Sequence, residues 1–173
     1  MPFPKELRAE NLLLRSLMEE DWQLEYDLSR VPDVPQWTYY PPDLDEPGAR
    51  RRISRTKERQ EARLAARYAI VIDGRAIGTV GIGWRDGGAP EIFYALISAG
   101  RGRGAATESV RLLTTWLFDH GFTAVALETV AGNTASEKVA ERAGFRQTDS
   151  YLGYQGGESV QVNRWLRHSA PLV

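Results

Sequence analysis

Apolar and polar positions along the chain follow two different spacings, one typical of strands and one typical of helices. Short apolar runs bounded by turn residues predict seven strands, at 11–17, in both halves of 67–84, and at 91–98, 123–130, 145–154 and 158–167. The wider spacing predicts four helices, at 18–30, 47–67, 105–120 and 133–145. Residues 31–43 combine prolines with aromatic residues, and we expect an irregular loop there.

The order of these elements is β-α-α-β-β-β-α-β-α-β-β, which predicts an α/β fold with one mixed sheet and helices on both faces. The run 123–130 is almost continuously apolar, which is typical of a central strand covered on both sides. The chain has no internal repeat and no low-complexity linker, so we expect a single domain over residues 1–173.

Composition narrows the classes of protein to consider. The chain has 42% apolar and 26% charged residues and a net charge of −1, which is typical of a globular protein and too weakly basic for nucleic-acid binding by charge alone. The absence of cysteine excludes disulfides, thiolate catalysis and zinc–thiolate sites, and two histidines do not suffice for a histidine-rich metal site. We therefore expect no bound metal. Since no apolar run matches a membrane span or a signal-peptide core, we also expect a cytoplasmic protein.

The stretch "ISAGRGRGAATESV", residues 97–110, places glycines and arginines between a strand and a helix. A helix N-terminus presents unpaired N–H groups and a partial positive charge, and glycine lets the backbone approach a ligand closely. Arginine side chains add charge-assisted hydrogen bonds. The stretch therefore predicts a phosphate-binding loop, with a solvated glycine turn and two surface arginines as the alternative.

Two nucleotide-binding patterns compete for this loop. A mononucleotide P-loop needs a Gly-Lys-Ser/Thr ending, and the chain has none. Gly102-x-Gly104-x-x-Thr107, followed by Glu128 at the end of the next strand, resembles a dinucleotide fingerprint and suggests an oxidoreductase. The third glycine is missing, however, and only 45 residues follow Glu128, too few to complete a doubly wound sheet.

The helix at 47–67 offers another alternative, an RNA-binding module that uses its arginines. Glu58 and Glu61 interrupt the basic surface and the net charge is close to zero, so a solvated helix face is the preferred interpretation. The arginines concerned are Arg50, Arg51, Arg52, Arg55, Arg59 and Arg63.

Several motifs together resemble one known superfamily. Arg101-x-x-Gly104-x-Ala106 matches the Arg/Gln-x-x-Gly-x-Gly/Ala signature of the GNAT acyl-CoA N-acyltransferases, and "NTASEKVAERAGF" is similar to their next block. The segments "LRAENLLLRSLMEEDW" and "EIFYALIS" resemble the RimJ/RimL-like branch, which acetylates the N-termini of ribosomal proteins. The resemblance covers residues 7–167 and implies the GNAT fold, a mostly antiparallel sheet of about seven strands in one acetyltransferase domain. Dimers are common in that branch, so a homodimer is possible.

The resemblance implies acetyl-CoA as the co-substrate. In the family, the pyrophosphate lies on the loop and the first helical turn, and the pantetheine arm pairs like a strand with the backbone before the loop. Asn133 and Lys138 correspond to a second region of the family that contacts the cofactor. Asn133 also suits a helix N-cap, and Lys138 also suits an exposed lysine on the helix surface. The implied cofactor-binding residues are Leu96, Ile97, Ser98, Arg101, Gly102, Arg103, Gly104, Ala105, Ala106, Thr107, Asn133 and Lys138.

Two residues are implied as catalytic. Glu91 aligns with the glutamate of the family phrase and is the candidate general base, with a structural ion pair to an arginine as the alternative. Many members use a tyrosine to protonate the departing thiolate, but the chain has Ala140 at that position. The ribosomal-protein branch instead points to Ser136, which also suits a serine bonded to the backbone of the first helical turn.

The acceptor is expected to be an amine that attacks acetyl-CoA directly in a ternary complex. Deprotonating an α-amine at pH 7 costs about 1 kcal/mol, against roughly 4 to 5 kcal/mol for a lysine amine, so a single carboxylate base favours the α-amine of a protein N-terminus or a small amine. Phe93 stands where the family usually has glycine, which alters the acceptor pocket. The candidate acceptor-binding residues are Trp37, Tyr39, Phe93 and Tyr151.

Overall fold

The computed structural model describes residues 2–85 and 88–170. Within these residues there are eight strands: β1 Glu6–Ala9, β2 Leu12–Ser16, β3 Ala66–Ile72, β4 Arg75–Gly83, β5 Glu91–Leu96, β6 Ala124–Val130, β7 Arg146–Gln155 and β8 Glu158–His168. The α-helices are α1 Trp22–Arg30, α2 Asp33–Trp37, α3 Glu46–Glu61, α4 Ala105–Asp119 and α5 Thr134–Arg142. Two 3₁₀ turns lie at Glu19–Asp21 and Ser98–Gly100.

The strands form one sheet in the order β1-β2-β3-β4-β5-β6-β8-β7. All neighbouring strands are antiparallel except β5 and β6, which are parallel. The α/β class with a mostly antiparallel sheet is therefore confirmed, with eight strands rather than about seven.

The central parallel pair is short and then opens. In the described chain β5 and β6 are paired only at Glu91–Ala126 and Ile92–Leu127, although β5 continues to Leu96. The rest of β5 therefore presents an edge toward a gap in the middle of the sheet. Backbone groups along such an edge are available to a ligand that adds as a strand.

Helices cover both faces of the sheet, and a separate apolar core fills each side. On one face α4 buries Val110, Leu113 and Leu117 against the sheet. On the other face α1 and α3 bury Leu24, Leu28 and Ile53 against Ala69 and Ala95. Each fully buried aliphatic side chain contributes about 1.5–3 kcal/mol, so these two layers stabilise the sheet from both faces.

The expectation of an irregular loop over 31–43 is wrong in part, because residues 33–37 form α2. Pro35 is tolerated there since it lies in the first helical turn, where its missing N–H has no intrahelical acceptor. At the other end, Gln155 Nε2 donates to the carbonyls of Pro35, Gln36 and Thr38 at 3.2, 2.7 and 2.8 Å. A side chain from β7 thus satisfies the end of this short helix.

The ends of α3 and the presence of β1 also differ from the expectation. The helix predicted over 47–67 begins at Glu46 and ends at Glu61, because Arg63 adopts a left-handed conformation, with φ 58°, before β3 starts. The strand β1 was not predicted at all. It is a four-residue edge strand in which Leu7 and Ala9 alone are partly buried, so its apolar pattern is too short to recognise.

Candidate active site

The glycine–arginine loop leads into α4 through two residues with left-handed backbone. Gly102 and Gly104 have φ of 76° and 75°, a conformation that favours glycine. Gly104 is the N-cap, and the first bond of the helix runs from Glu108 N to Gly104 O at 3.0 Å. The N–H groups of Ala105, Ala106 and Thr107 therefore lack an acceptor within the helix. Unpaired N–H groups at the positive end of a helix are the feature expected of an anion site.

The two arginines of the loop are held by carboxylates. Arg101 forms a two-bond ion pair with Asp33 of α2, at 2.6 and 2.7 Å, and its Nη2 also donates to the carbonyl of Leu96 at 3.2 Å. These hydrogen bonds from Arg101 hold the pKa of Asp33 below its usual value. Arg103 pairs with Asp73 in the β3–β4 turn at 2.8 Å. The anion site therefore depends chiefly on main-chain donors, and Arg101 anchors α2 beside it.

A cleft of about 270 Å³ lies between α2, the end of β5, the start of α4 and α5. Several of the expected cofactor residues line it, namely Leu96, Arg101, Gly102, Gly104, Ala105, Ala106, Thr107 and Asn133. Ser98, Arg103 and Lys138 are exposed elsewhere on the surface, and Ile97 N donates to Ile77 O at 3.0 Å. The structure thus brings together eight of the twelve residues expected to bind the cofactor.

A second, larger pocket of about 420 Å³ lies next to this cleft. The two cavities share Trp37, Thr38, Tyr94, Asn133 and Ser136 in their walls. A ligand that extends along the cleft from the start of α4 would therefore reach the second pocket at these five side chains.

Tyr94 and Ser136 form a hydrogen-bonded pair at this junction. The Tyr94 hydroxyl donates to Ser136 Oγ at 3.1 Å, and burial raises the pKa of Tyr94 to about 12, so it stays protonated at neutral pH. Asn133 is the N-cap of α5, and its Oδ1 accepts from Ser136 N at 3.2 Å. Sequence reasoning identified Ser136 and Asn133 but missed Tyr94, whose only signal is its place at the end of the strand before the loop.

Glu91 lies in the larger pocket with a cluster of charged groups. Arg85 Nε is 3.4 Å from Glu91 Oε2, and Arg85 Nη1 is 3.2 Å from Glu128 Oε2. Glu128 also accepts from Arg164 Nη1 at 3.3 Å and from the Tyr151 hydroxyl at 2.9 Å. Burial and the nearby Glu128 raise the pKa of Glu91, while Arg85 and Arg164 oppose that shift. Glu91 thus forms an ion pair with Arg85 and also has a pKa above that of an ordinary glutamate.

Phe93 is accommodated by a glycine on the neighbouring strand. Gly81 lies directly opposite Phe93 in the β4–β5 register, and a Cβ on Gly81 would lie 2.6 Å from the Phe93 ring. The ring therefore occupies the space that a side chain at Gly81 would fill. Phe93 forms part of the wall of the larger pocket.

Of the other candidate acceptor-binding aromatic residues, two line the larger pocket and Tyr151 is outside its wall. Trp37 and Tyr39 line the larger pocket. The hydroxyls of Tyr39 and Tyr151 accept hydrogen bonds from Arg85 at 3.5 and 3.1 Å. Arg85 therefore connects two tyrosine hydroxyls with the carboxylates of Glu91 and Glu128.

A buried polar network lies beneath this pocket and was not predicted. Glu25 of α1 is fully buried and accepts from Arg67 Nη2 at 2.6 Å, from the Tyr40 hydroxyl at 2.7 Å and from Arg52 Nε at 2.9 Å. Arg67 also donates to Tyr40 and to Thr79. Placing Arg52 on a solvated helix face is therefore wrong, because its side chain reaches inward to a carboxylate on another helix.

The described residues contain no group of three or more His, Asp or Glu side chains positioned to hold a metal ion. None of the helices in ranges 2–85 and 88–170 combines the length and apolar character needed to cross a membrane.

Among known protein families, one family model matches most of the chain. The model of the acetyltransferase (GNAT) domain matches residues 11–146. Among functionally characterised proteins, no sequence matches this chain.

Solved structures of similar fold cover almost the whole chain. RimL, a ribosomal L7/L12 α-N-protein acetyltransferase solved with coenzyme A, has a TM-score of 0.81 at 20% identity, over 92% of this chain and 95% of its own. The Salmonella typhimurium acetyltransferase that modifies the N-terminal serine of ribosomal protein L7/L12 gives 0.82 at 20% identity, over 94% and 97%. The microcin C7 self-immunity acetyltransferase MccE, solved with acetyl-CoA and AMP, gives 0.85 at 16% identity, over 96% and 98%. At these identities the likeness concerns the fold.

Proposed function

The chain belongs to the GNAT acetyltransferase family, and on that premise we propose that it transfers the acetyl group of acetyl-CoA to a protein N-terminal α-amine or a small primary amine. The observation that carries the proposal is the junction of two cavities at Tyr94 and Ser136. One cavity begins at the N-terminus of α4, and the other contains Glu91. This arrangement suits a reaction between two substrates that meet in a ternary complex.

The residues of the cleft fit acetyl-CoA. The N–H groups at the start of α4 suit a diphosphate, because they are unpaired donors at the positive end of a helix. The unpaired edge of β5 suits an arm that contains amide groups, because such an arm can add as an extra strand. The co-substrate supplies the activated acetyl group, and the chain supplies the groups that position it.

Glu91 is the proposed general base. Its raised pKa makes it a better proton acceptor than an ordinary carboxylate, and its place in the larger pocket lets it take a proton from the acceptor's ammonium, directly or through a water, so that the neutral amine can attack the thioester. The proposed base thus lies in one cavity and the anion site in the other.

Ser136 is the proposed donor to the leaving sulfur. Because Tyr94 already donates to Ser136 Oγ, the serine's own proton is free to point into the junction between the cavities. A donor at that position would stabilise the charge that develops as the thioester bond breaks. Tyr94, with its high pKa, would keep the serine in this orientation across the neutral pH range.

The two alternative functions are not favoured. A dinucleotide-binding oxidoreductase of the doubly wound type needs an open, mostly parallel sheet, and the observed sheet is mostly antiparallel. For an RNA-binding helix, the basic surface of α3 is reduced, because Arg52 is bonded to the buried Glu25 and Arg50 pairs with Glu46 at 2.8 Å.

The direct test incubates the pure protein with acetyl-CoA and a panel of amines and follows the release of thiol. We expect thiol release that depends on the amine, and faster reaction with weakly basic α-amines than with lysine-like amines at pH 7. Calorimetry in parallel measures acetyl-CoA binding. A protein that neither binds acetyl-CoA nor releases thiol with any amine would contradict the proposal.

A further inference from the structure

Among the described residues, the walls of the larger pocket carry more positive than negative charge. The described charged side chains that line it are three arginines and two glutamates, namely Arg52, Arg67, Arg85, Glu91 and Glu128. Their ion-pair partners outside the wall, Glu25 and Arg164, add one charge of each sign and leave this excess unchanged. A pocket that receives only an amine would be expected to be negative, since the amine arrives as a cation. The excess therefore calls for a negative group on the ligand.

The excess is located at the Glu25 network. One carboxylate, Glu25, faces two guanidinium groups, Arg52 and Arg67, and its side chain is 0% exposed. Arg67 is only 12% exposed and donates to Glu25, Tyr40, Thr79 and Thr56. Both of its terminal nitrogens are bonded within the protein, so Arg67 contributes chiefly charge.

Arg52 retains donors that face the pocket. Its side chain is 29% exposed, and its Nε is the atom that donates to Glu25. Among the described residues, the two terminal nitrogens of Arg52 have no hydrogen-bond partner. The guanidinium lies over the Tyr40 ring, 4.3 Å from its centroid, which fixes the orientation of the planar group. A planar, oriented guanidinium with two free N–H₂ groups matches a carboxylate or a phosphate.

The network and the candidate base lie on the same face of the sheet. Arg67 pairs with Gly81, and Gly81 pairs with Phe93, so these three positions form a row across β3, β4 and β5. Glu91 is two residues from Phe93 and therefore faces the same way. Two strand spacings and two residues of rise separate Arg67 from Glu91 by roughly 12 Å between backbones, a distance that an extended dipeptide with its side chains can bridge.

We propose that the acceptor is an amine that also carries an anionic oxygen group, a carboxylate or a phosphate, and that Arg52 binds this group while the amine lies at Glu91. The inference rests on the proposed acetyl transfer and adds the chemical class of the acceptor. A short peptide with an acidic side chain near its N-terminus and a small amine with its own carboxylate or phosphate share this chemistry.

The experiment compares matched acceptors that differ only in the anionic group, with acetyl-CoA saturating. The pairs are glycyl-aspartate amide against glycyl-asparagine amide, phosphoethanolamine against ethanolamine, and eight-residue peptides that begin with either dipeptide sequence. We expect the anionic member of at least one pair to have about tenfold higher kcat/KM, mainly through KM. The pair that shows the preference identifies the source of the anion.

Variants of Arg52 test where the preference arises. Arg52→Gln should abolish it by raising KM for the anionic acceptor alone, and Arg52→Lys should retain part of it because the charge remains. Arg55→Gln is the matched control, since Arg55 lies on the same helix, is exposed and is outside the pocket wall. If Arg52→Gln does not fold, the comparison of anionic and neutral acceptors with the wild-type protein still decides whether the anionic group is recognised, and Arg52→Lys tests the residue.

The two proposals fail in different ways. If acetyl-CoA does not bind and no amine in any pair is acetylated, the proposed acetyl transfer is wrong, and this inference falls with it. If amines are acetylated but both members of each pair react equally, the anion site alone is overturned. If the preference exists but survives Arg52→Gln, its assignment to Arg52 is likewise overturned.

Discussion

Glu91 is subject to opposing electrostatic influences at the residue scale. Its burial and the charge of Glu128 favour the protonated form, while Arg85 and Arg164 favour the carboxylate. A general base must be unprotonated to act, so the acid limb of the kcat/KM profile should follow the pKa of this group. Substitutions of neighbouring residues that change the pKa of Glu91 should therefore shift the acid limb of the profile without removing the base.

We predict that Glu128→Gln shifts the acid limb to lower pH, because it removes a like charge and lets both arginines act on Glu91. Arg85→Gln should shift the limb to higher pH, because it removes an opposing cation. The measurement is the pH profile of kcat/KM with a neutral acceptor, with Glu61→Gln on the exposed end of α3 as control. Shifts in the same direction for both variants would contradict a base at Glu91.

The hydroxyl pair supports a second prediction at this scale. Because Tyr94 acts on the sulfur through Ser136, Ser136→Ala should lower kcat by about tenfold to a thousandfold, and Tyr94→Phe should lower it by less. The double variant should be no slower than Ser136→Ala alone, since both changes remove one function. Single-turnover rates with the four proteins measure this. Effects that simply multiply would show that the two hydroxyls act independently.

Individual residues were predicted from sequence only where the local pattern fixes them. The spacing from Asn133 to Ser136 is that of a helix N-cap, so their proximity follows from sequence. The partner of Arg101 could not be predicted in this way, because Asp33 is 68 positions away and lies on a helix that was itself unexpected. The same holds for Arg52, whose carboxylate partner is 27 positions away on α1. Long-range pairing of charged side chains leaves no periodic signal in a sequence.

At the element scale, the N-terminus of α4 is the part of the structure that the loop motif predicted. Two glycines at positive φ turn the chain so that the first helical N–H groups face the cleft. Two properties of Gly104 are combined here, its left-handed backbone and its position beside the expected diphosphate. They need separate tests, because any L-residue at this φ is strained.

We predict that Gly104→Ala weakens acetyl-CoA binding in addition to costing about 1–2 kcal/mol of stability from the left-handed backbone. Gly121→Ala, at the other end of the same helix, is the matched control, since its φ is 87° and an added Cβ there also meets no atom within 4 Å. Chemical denaturation should show a similar loss for both, while calorimetry should show weaker binding only for Gly104→Ala. Equal affinities in the two variants would exclude close approach of the ligand at Gly104.

Short elements were the ones that sequence did not predict. The five residues of α2 contain a proline, and the carbonyls at the end of this helix are satisfied by Gln155, about 120 positions later. The four residues of β1 bury too little apolar surface to give a pattern. In contrast, α4 and β6 have long periodic or continuous apolar runs, and both were predicted to within one residue of the observed ends.

At the scale of the whole molecule, the Glu25 network connects elements from distant parts of the chain. It joins α1, α3, β3, β4 and the segment after α2 beneath the larger pocket. Burial alone would raise the pKa of Glu25, but Arg67 and Arg52 outweigh burial and hold the pKa below its ordinary value. The ionised carboxylate therefore stabilises the fold at neutral pH, and this contribution is lost as the pH falls through the pKa of the folded state.

We predict that Glu25→Gln destabilises the protein by about 3–5 kcal/mol at pH 7, because it leaves two arginines without their shared carboxylate. The difference from wild type should shrink as the pH is lowered below 4.5, since wild-type Glu25 then loses its advantage too. Urea denaturation across this pH range measures both effects. A pH-independent difference would mean that the carboxylate charge is not what stabilises the network.

The whole fold was predicted correctly in class because strand and helix patterns determine the order of elements, and that order limits the possible sheets. The gap between β5 and β6 was not predictable from pattern. Both strands read as ordinary, largely apolar strands, and nothing in their pattern marks the end of their pairing after Ile92. The cavity that this divergence creates is a property of tertiary packing.

The central claim is that the gap beside β5 holds acetyl-CoA with its diphosphate on the start of α4 and its sulfur at Ser136. A crystal structure of the protein with coenzyme A tests it most directly. The account predicts diphosphate oxygens bonded to the N–H groups of residues 105–107 and the sulfur within hydrogen-bond reach of Ser136 Oγ. Coenzyme A bound away from α4, or with its sulfur directed away from the Tyr94–Ser136 pair, would contradict it.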